Sequence, residues 1–190
     1  MDSNALEEAG KLFPDAKKYK DYRVLIKEMS EDIDAVIVSA PDHIHAPASI
    51  LAMKNNKHVY CQKPLTNYVS ESREMKRLAE EKNLITQMGI QVHSFYDYKL
   101  ATLLIQSGLI GKVSKVRAWS PKNWGYDGPK HTGADDIPQN LDWNLWLGTA
   151  QLRPYKEKIY HPAMWRKIED FGCGTLGDMG VHIFDTPYNA

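Results

Sequence analysis

Two hydrophobic rhythms alternate along the chain. Ala35-Val36-Ile37-Val38-Ser39-Ala40 is a short run, apolar on both faces, closed by the turn pair Pro41-Asp42. Such a run predicts a buried parallel strand. A helix is expected next, with Pro47 near its first turn and Ile50, Leu51 and Met53 as apolar contacts. His58-Val59-Tyr60-Cys61 predicts a second strand and completes a βαβ unit. The alternation then repeats. Residues 69–82 carry Met75, Leu78 and Ala79 at helical spacing, with Glu71 and Glu74 near the positive end of the dipole. Leu84 to Met88 predicts a third strand. Tyr98 to Ser107 predicts a helix with Leu100, Leu103 and Leu104 on one face and Gly108 at its stop. Three strand–helix alternations predict a parallel sheet with helices on both faces.

The pattern changes near Gly111. Lys112 to Trp119 predicts a strand of mixed character, and residues 120–170 are rich in Trp, Pro, Gly, Asp and Tyr with little periodicity. An irregular stretch this long is uncommon unless it is functional. Leu176 to Tyr188 predicts a final helix. The reading is therefore of two α/β parts, residues 1–111 and 112–190. A dinucleotide-binding sheet normally opens with a strand, a GxGxxG turn and a helix, followed by an acidic residue after the second strand. No such opening precedes Ala35, so the first part is expected to be a partial Rossmann-like domain and the chain a fragment.

Composition narrows the function classes. Lys+Arg and Asp+Glu balance at 24 each, so no net field draws the chain to nucleic acid or anionic lipid. Hydrophobic residues at 43% and charged ones at 25% suit an ordinary globular protein. No apolar run has the length of a membrane span, and the acidic start MDSNALEEAGKLF lacks the character of a signal peptide. Two cysteines, Cys61 and Cys173, are too few for a disulfide framework. A cytoplasmic protein is expected, although an export signal ahead of Met1 would leave no trace here.

Four constellations could carry chemistry. Cys61-Gln62-Lys63-Pro64-Leu65 stands at the carboxyl end of a predicted parallel strand, where open α/β sheets bind ligands. A lysine there could polarise a substrate hydroxyl, and Pro64 could be cis; the same residues also suit a surface turn. In Gly172-Cys-Gly-Thr-Leu-Gly177-Asp178-Met-Gly180-Val-His182, Asp178 and His182 share a helix face. A carboxylate beside an imidazole can orient it and raise its pKa, as a general base requires. The glycines fit either close approach of a ligand or tight packing. Asp42-His43-Ile44-His45 raises the question of metal, but the i,i+2 histidines lack a partner at zinc-like spacing. Capping the next helix or contacting a nucleotide suits them better. The aromatic stretch holds Trp119, Trp124, Tyr126, Trp143, Trp146, Tyr155, Tyr160 and Trp165, with His131, Asp135, Asp136 and Arg166. Aromatic faces with polar neighbours suit a sugar platform, and they equally suit a loop packed on its own domain.

Taken together and in order, AVIVSAPDHIHAPASILAMKNNKHVYCQKPLT, TQMGIQ, LDWNLWLG and FGCGTLGDMGVHIFD resemble the Gfo/Idh/MocA oxidoreductases, in particular a bacterial branch with QKP. The resemblance runs from about Phe13 to the end. It implies a Rossmann domain joined to the start of an α/β domain with a mostly antiparallel sheet, NAD or NADP as cofactor, a sugar or cyclitol substrate, and a homo-oligomer built through the larger sheet. Lys63 matches the lysine of the family's EKP motif, which orients the reacting hydroxyl. Asp178 and His182 match the DxxxH pair, whose histidine accepts the proton. Ser39, Pro41 and His45 fall in the loop that skirts the cofactor, and Gln91 in the segment reaching towards the nicotinamide. Arg166 joins the cofactor-binding candidates. Gln62 replaces the usual glutamate; it can still bond a ribose hydroxyl but brings no charge. Asp2 is not expected to be the ribose acid.

Three functions remain open: a dehydrogenase or a piece of one, an NAD-dependent glycosidase working by oxidation and elimination, and a non-catalytic interaction module. Without a glycine turn the 190 residues are expected to bind NAD(P) poorly and to turn over little.

Overall fold

The computed structural model of the protein describes residues 2–190. Strands β1 (Ala35–Val38), β2 (His58–Gln62) and β3 (Thr86–Gly89) form one sheet in that order. Both pairings are parallel, with Val36 opposite Val59 and Cys61 opposite Met88. Helices α1 (Ser3–Leu12) and α2 (Tyr22–Met29) precede the sheet; α3 (Asp42–Lys54) crosses from β1 to β2 and α4 (Val69–Glu81) from β2 to β3. The α/β class expected from the alternation is therefore present. Local causes are plain. β-Branched residues dominate β1, the Asp21 carboxylate caps α2 by accepting from the Arg23 N–H at 2.9 Å, and Glu71 closes the first turn of α4 by accepting from the Tyr68 N–H at 3.0 Å.

The first core lies on one face of the sheet. Val38, Val59 and Cys61 meet Ala48, Ala52 and Met53 of α3 and Met75 and Leu78 of α4. Successive strand residues point to opposite faces, so Ile37 and Tyr60 project the other way and are 73% and 40% exposed. This corrects the expectation of helices on both faces and of a fully buried first strand. Among the described residues, only one face is covered.

Several boundaries also move. Helix α3 begins at Asp42, directly after Pro41, so Pro47 lies in its second turn rather than near its first. The third strand starts at Thr86, two residues later than expected. The helix expected over 98–107 is α6 (Tyr96–Gln106), preceded by the single turn α5 (Gln91–Ser94), and Leu103 on its apolar face stays exposed. The final helix is two helices, α8 (Gly174–Ile183) and α9 (Asp185–Asn189). Pro187 cannot donate to the Ile183 carbonyl four residues back, and that breaks the run at Phe184.

The strand expected over Lys112–Trp119 does not form; the segment is irregular, exposed and outside any sheet. A strand needs a partner for its N–H and C=O groups, and among the described residues none is offered. No antiparallel sheet occurs among them either; Asp2 and Leu141 make one isolated antiparallel bridge.

The aromatic stretch builds a second core. Leu141, Trp143, Trp146 and Leu147, around α7 (Trp143–Leu147), pack with Tyr155, Tyr160, Trp165 and Phe171. Trp143 and Trp146 stack at 4.9 Å, and Phe171 stands 5.0 Å from Trp146. The choice left open between sugar platform and packing therefore falls to packing for these residues, whereas Trp119 is 80% exposed.

Candidate active site

Lys63 is the first residue beyond β2, at its carboxyl end. Its backbone N–H donates to Gln62 Oε1 at 3.2 Å, Pro64 is buried, and the Lys63–Pro64 peptide is cis. The His45 ring ties this loop to the one after β1: Nδ1 lies 2.7 Å from the Pro64 oxygen and Nε2 2.8 Å from the Ala40 oxygen. Two carbonyl acceptors favour the charged ring, but burial outweighs them and lowers its pKa. With 1% of its surface exposed, His45 pins two loops together rather than presenting a nitrogen to a cofactor.

The start of α3 then grips the chain ahead of α8. The His43 N–H donates to the Phe171 oxygen at 3.3 Å, and His43 Nε2 lies 3.0 Å from the Trp146 oxygen. Asp42 accepts from the N–H of Cys173, the residue capping α8. His43 and His45 thus turn to different partners. The glycines of this stretch serve packing: a Cβ at Gly172 would meet the Arg166 backbone at 2.8 Å, one at Gly177 would meet the Cys173 Cβ at 2.0 Å, and Gly174 holds a φ of +62°. Residues 172–177 happen to spell GxGxxG, yet no strand feeds them, so they lack the context of a phosphate-binding turn.

What converges is a charged cluster. Lys63 Nζ donates to Asp178 Oδ1 at 2.5 Å and to the Asp178 carbonyl at 3.0 Å. Trp124 Nε1 donates to Asp178 Oδ2 at 2.8 Å. Arg166, from the 3₁₀ turn Met164–Lys167, brings Nε to 3.8 Å from Asp178 Oδ1 and stacks on Trp165 at 4.2 Å. Burial pushes the Asp178 carboxyl up, but the Lys63 hydrogen bond and charge, then the Trp124 indole, hold it below its ordinary value.

His182 shares the buried face of α8, yet Asp178 does not hydrogen-bond it, and its Nδ1 is buried without a partner. Burial, then the Lys63 charge, lower the imidazole pKa against a weaker pull from Asp178. The expected carboxylate-raised imidazole is thereby corrected. The carboxylate is spent on Lys63 and Trp124, and His182 is a neutral ring near neutral pH.

The remaining candidates scatter. Ser39 is exposed and Pro41 half-buried in the loop after β1, Gln62 ends β2, and Gln91 opens α5 after β3. They line the carboxyl ends of the three strands. Arg166 belongs to the Asp178 cluster instead. Sequence reasoning missed the parts played by Asp42 and Trp124, because both depend on contacts with α8 from distant segments. Both thiols are pushed up to about 11 by burial, which leaves Cys61 and Cys173 protonated and poor nucleophiles.

Residues 2–90 match the Gfo/Idh/MocA family model described as an oxidoreductase family NAD-binding Rossmann fold, and residues 96–188 match the same family's C-terminal alpha/beta domain. The chain belongs to the Gfo/Idh/MocA oxidoreductase family. It is 26% identical over 178 residues to levoglucosan dehydrogenase of Pseudarthrobacter phenanthrenivorans, covering 94% of this chain and 37% of that one. It is 35% identical over 83 residues to 2,7-anhydro-N-acetylneuraminate hydratase of Mediterraneibacter gnavus, covering 44% and 22%. Among solved structures, myo-inositol 2-dehydrogenase from Lactobacillus plantarum superposes with a TM-score of 0.54 at 33% identity, over 59% of this chain and 33% of that one. The chain thus spans about a third of the length of the two dehydrogenases, and its match covers about a fifth of the hydratase.

The residues present fit one end of the nicotinamide cofactor that this family's Rossmann fold binds. Lys63 stands just beyond the carboxyl end of β2, and the unpartnered His182 lies on α8, the helix whose Asp178 bonds Lys63. At the phosphate end, no strand–GxGxxG–helix unit occurs among the described residues. The Asp2 carboxylate is committed to Asn4, Asn140 and His161 at 3.0, 2.8 and 2.9 Å. No helix among the described residues is long and apolar enough to cross a membrane.

Proposed function

We propose that the cluster of Lys63, Asp178 and His182 is the reacting end of a dehydrogenase site that oxidises a sugar or cyclitol hydroxyl with NAD or NADP. The observation that carries this reading is the 2.5 Å Lys63–Asp178 pair, made by residues 115 apart in sequence, beside a buried imidazole with no protein partner. The bound nicotinamide supplies the hydride acceptor. Lys63, held by Asp178, donates to the oxygen of the reacting hydroxyl and steadies the charge that develops there. His182, neutral at neutral pH, accepts the hydroxyl proton at an imidazole nitrogen as hydride leaves the carbon. Ser39, Pro41, Gln62 and Gln91, at the strand ends, would border the cofactor, and Gln62 would offer a ribose hydroxyl a hydrogen bond without bringing charge.

The first part, residues 1–111, then carries the cofactor and the second, residues 112–190, the substrate; the packing of α6 on α9 and the family match beginning at residue 96 favour a change nearer 95. A homo-oligomer built through the second part, and a cytoplasmic site suited to two unpaired thiols, complete the reading. Neutral overall charge argues against nucleic acid as a partner.

The test is reduction of NAD(P)+ at high cofactor over a panel of sugars and cyclitols, followed by absorbance. Lys63→Ala and His182→Ala are each expected to lower the rate roughly a hundredfold or more. Equal rates well above background in all three proteins would overturn the assignment and favour an interaction module. Calorimetry is expected to show no saturation at micromolar NAD(P), because the phosphate end is unformed; a micromolar Kd sinks that expectation. Similarity to the hydratase keeps a second chemistry in view, oxidation followed by elimination. Glycoside cleavage without net NADH would identify it.

A further inference from the structure

The Asp178 carboxylate has two ways to turn. On α8 it could face His182 one turn on, or it could face Lys63. It faces Lys63, and Trp124 marks the difference. Trp124 comes from the irregular stretch after α6, half-buried. Its backbone N–H donates to Thr175 Oγ1 at 2.8 Å, in the first turn of α8, and that hydroxyl lies 3.3 Å from the Lys122 oxygen. The indole is therefore anchored to the helix that carries Asp178. Its N–H occupies Oδ2 at 2.8 Å while Lys63 occupies Oδ1 at 2.5 Å. Arg166 lies over the Trp124 ring at 5.6 Å and holds its outer face.

We infer that Trp124 is a positioning residue for the proposed site: its indole N–H locks the Asp178 carboxylate onto Lys63 and keeps it off His182. The inference rests on reading Lys63 and His182 as the reacting pair, but the lock itself is a statement of geometry. Its physical content is a partitioning of one anion. An indole is a donor only, so it satisfies Oδ2 without offering His182 anything. Were Oδ2 left without that donor, two groups could take it: the Arg166 guanidinium, whose Nε stands 3.8 Å from Oδ1, and the His182 ring on the same helix face. The carboxylate would then split between lysine and imidazole, and His182 would gain a proton it now lacks.

The test uses the full 190-residue chain and needs no turnover. Trp124→Phe keeps a ring beneath Arg166 and removes only the N–H. The charged and titratable groups facing the carboxylate are Lys63, Arg166, His182 and Asp42, so titrations are followed by NMR at both Asp178 and His182. In Trp124→Phe both midpoints are expected to rise, by about one pH unit each. Trp119→Phe, on an exposed indole, is expected to leave both in place. Unmoved midpoints in folded Trp124→Phe overturn the inference. Should that variant not fold, the wild-type Trp124 indole proton decides the matter: it is expected to shift as Asp178 titrates, and a signal blind to that titration overturns the lock. Loss of activity in Lys63→Ala with unmoved midpoints in Trp124→Phe would sink only this inference; retained activity in Lys63→Ala and His182→Ala with raised midpoints would sink only the functional reading.

Discussion

Truncating Phe171 to alanine is expected to lower the unfolding free energy by roughly 3–5 kcal/mol, the range for removing a buried phenyl ring and leaving its space partly empty. Phe171 is 0% exposed. Its ring meets His43 edge-on at 4.9 Å, Trp146 at 5.0 Å and Tyr160 at 5.5 Å, with the Arg153 guanidinium 5.0 Å above. The hydrogen bond from the His43 N–H goes to the Phe171 main-chain carbonyl, a group the substitution does not remove, so the variant addresses the side chain. The site should feel the change, because Phe171 joins the start of α3 to the chain entering α8. Phe171→Leu, closer in volume, is expected to cost much less, about 1.5 kcal/mol. Urea melts of the three proteins check this. A loss below about 1 kcal/mol for Phe171→Ala would mean that the aromatic cluster is not a cooperative core.

Asp42 sets up the second large effect, and it depends on pH. Burial pushes its carboxyl up from 3.8 to about 6; the Cys173 N–H and the Lys63 and Arg166 charges pull the other way, and Asp178 adds to the rise. Between those two values the folded protein holds a proton that the unfolded chain has released. Stability therefore falls as pH rises from about 4 to about 6, and it stays lower above that window. A separation of about two pH units corresponds to roughly 3 kcal/mol. Asp42→Asn keeps an oxygen for the Cys173 N–H and never acquires the buried charge. At pH 8 it is expected to be more stable than wild type by roughly 2–3 kcal/mol, and at pH 4 the two proteins should converge. Thermal melts across that range check the sign. A wild type that remains the more stable protein at pH 8 would show that the charge is compensated in the fold.

The parallel βαβ alternation was legible in the chain because each element carries its own period. Val36 and Val38, Val59 and Cys61, Met75 and Leu78 announce strands and helices through spacing that any packing must respect. Lys63 at a strand's carboxyl end and Asp178 with His182 on one helix face were legible for the same reason, since local geometry follows from local sequence. The limits are equally physical. Lys112–Trp119 has strand character, but a ladder needs a neighbour that local sequence cannot supply. Ile37 looks like a core residue and stands exposed, since burial depends on what arrives from elsewhere.

The sharpest division falls at the site itself. By itself the sequence determined that Asp178 and His182 lie one turn apart on α8, because the helical repeat leaves no choice. Only the tertiary structure decided that Asp178 turns away from His182. Lys63, Trp124 and Arg166 approach from three distant segments, and a buried carboxylate goes to the donors that best repay its lost hydration.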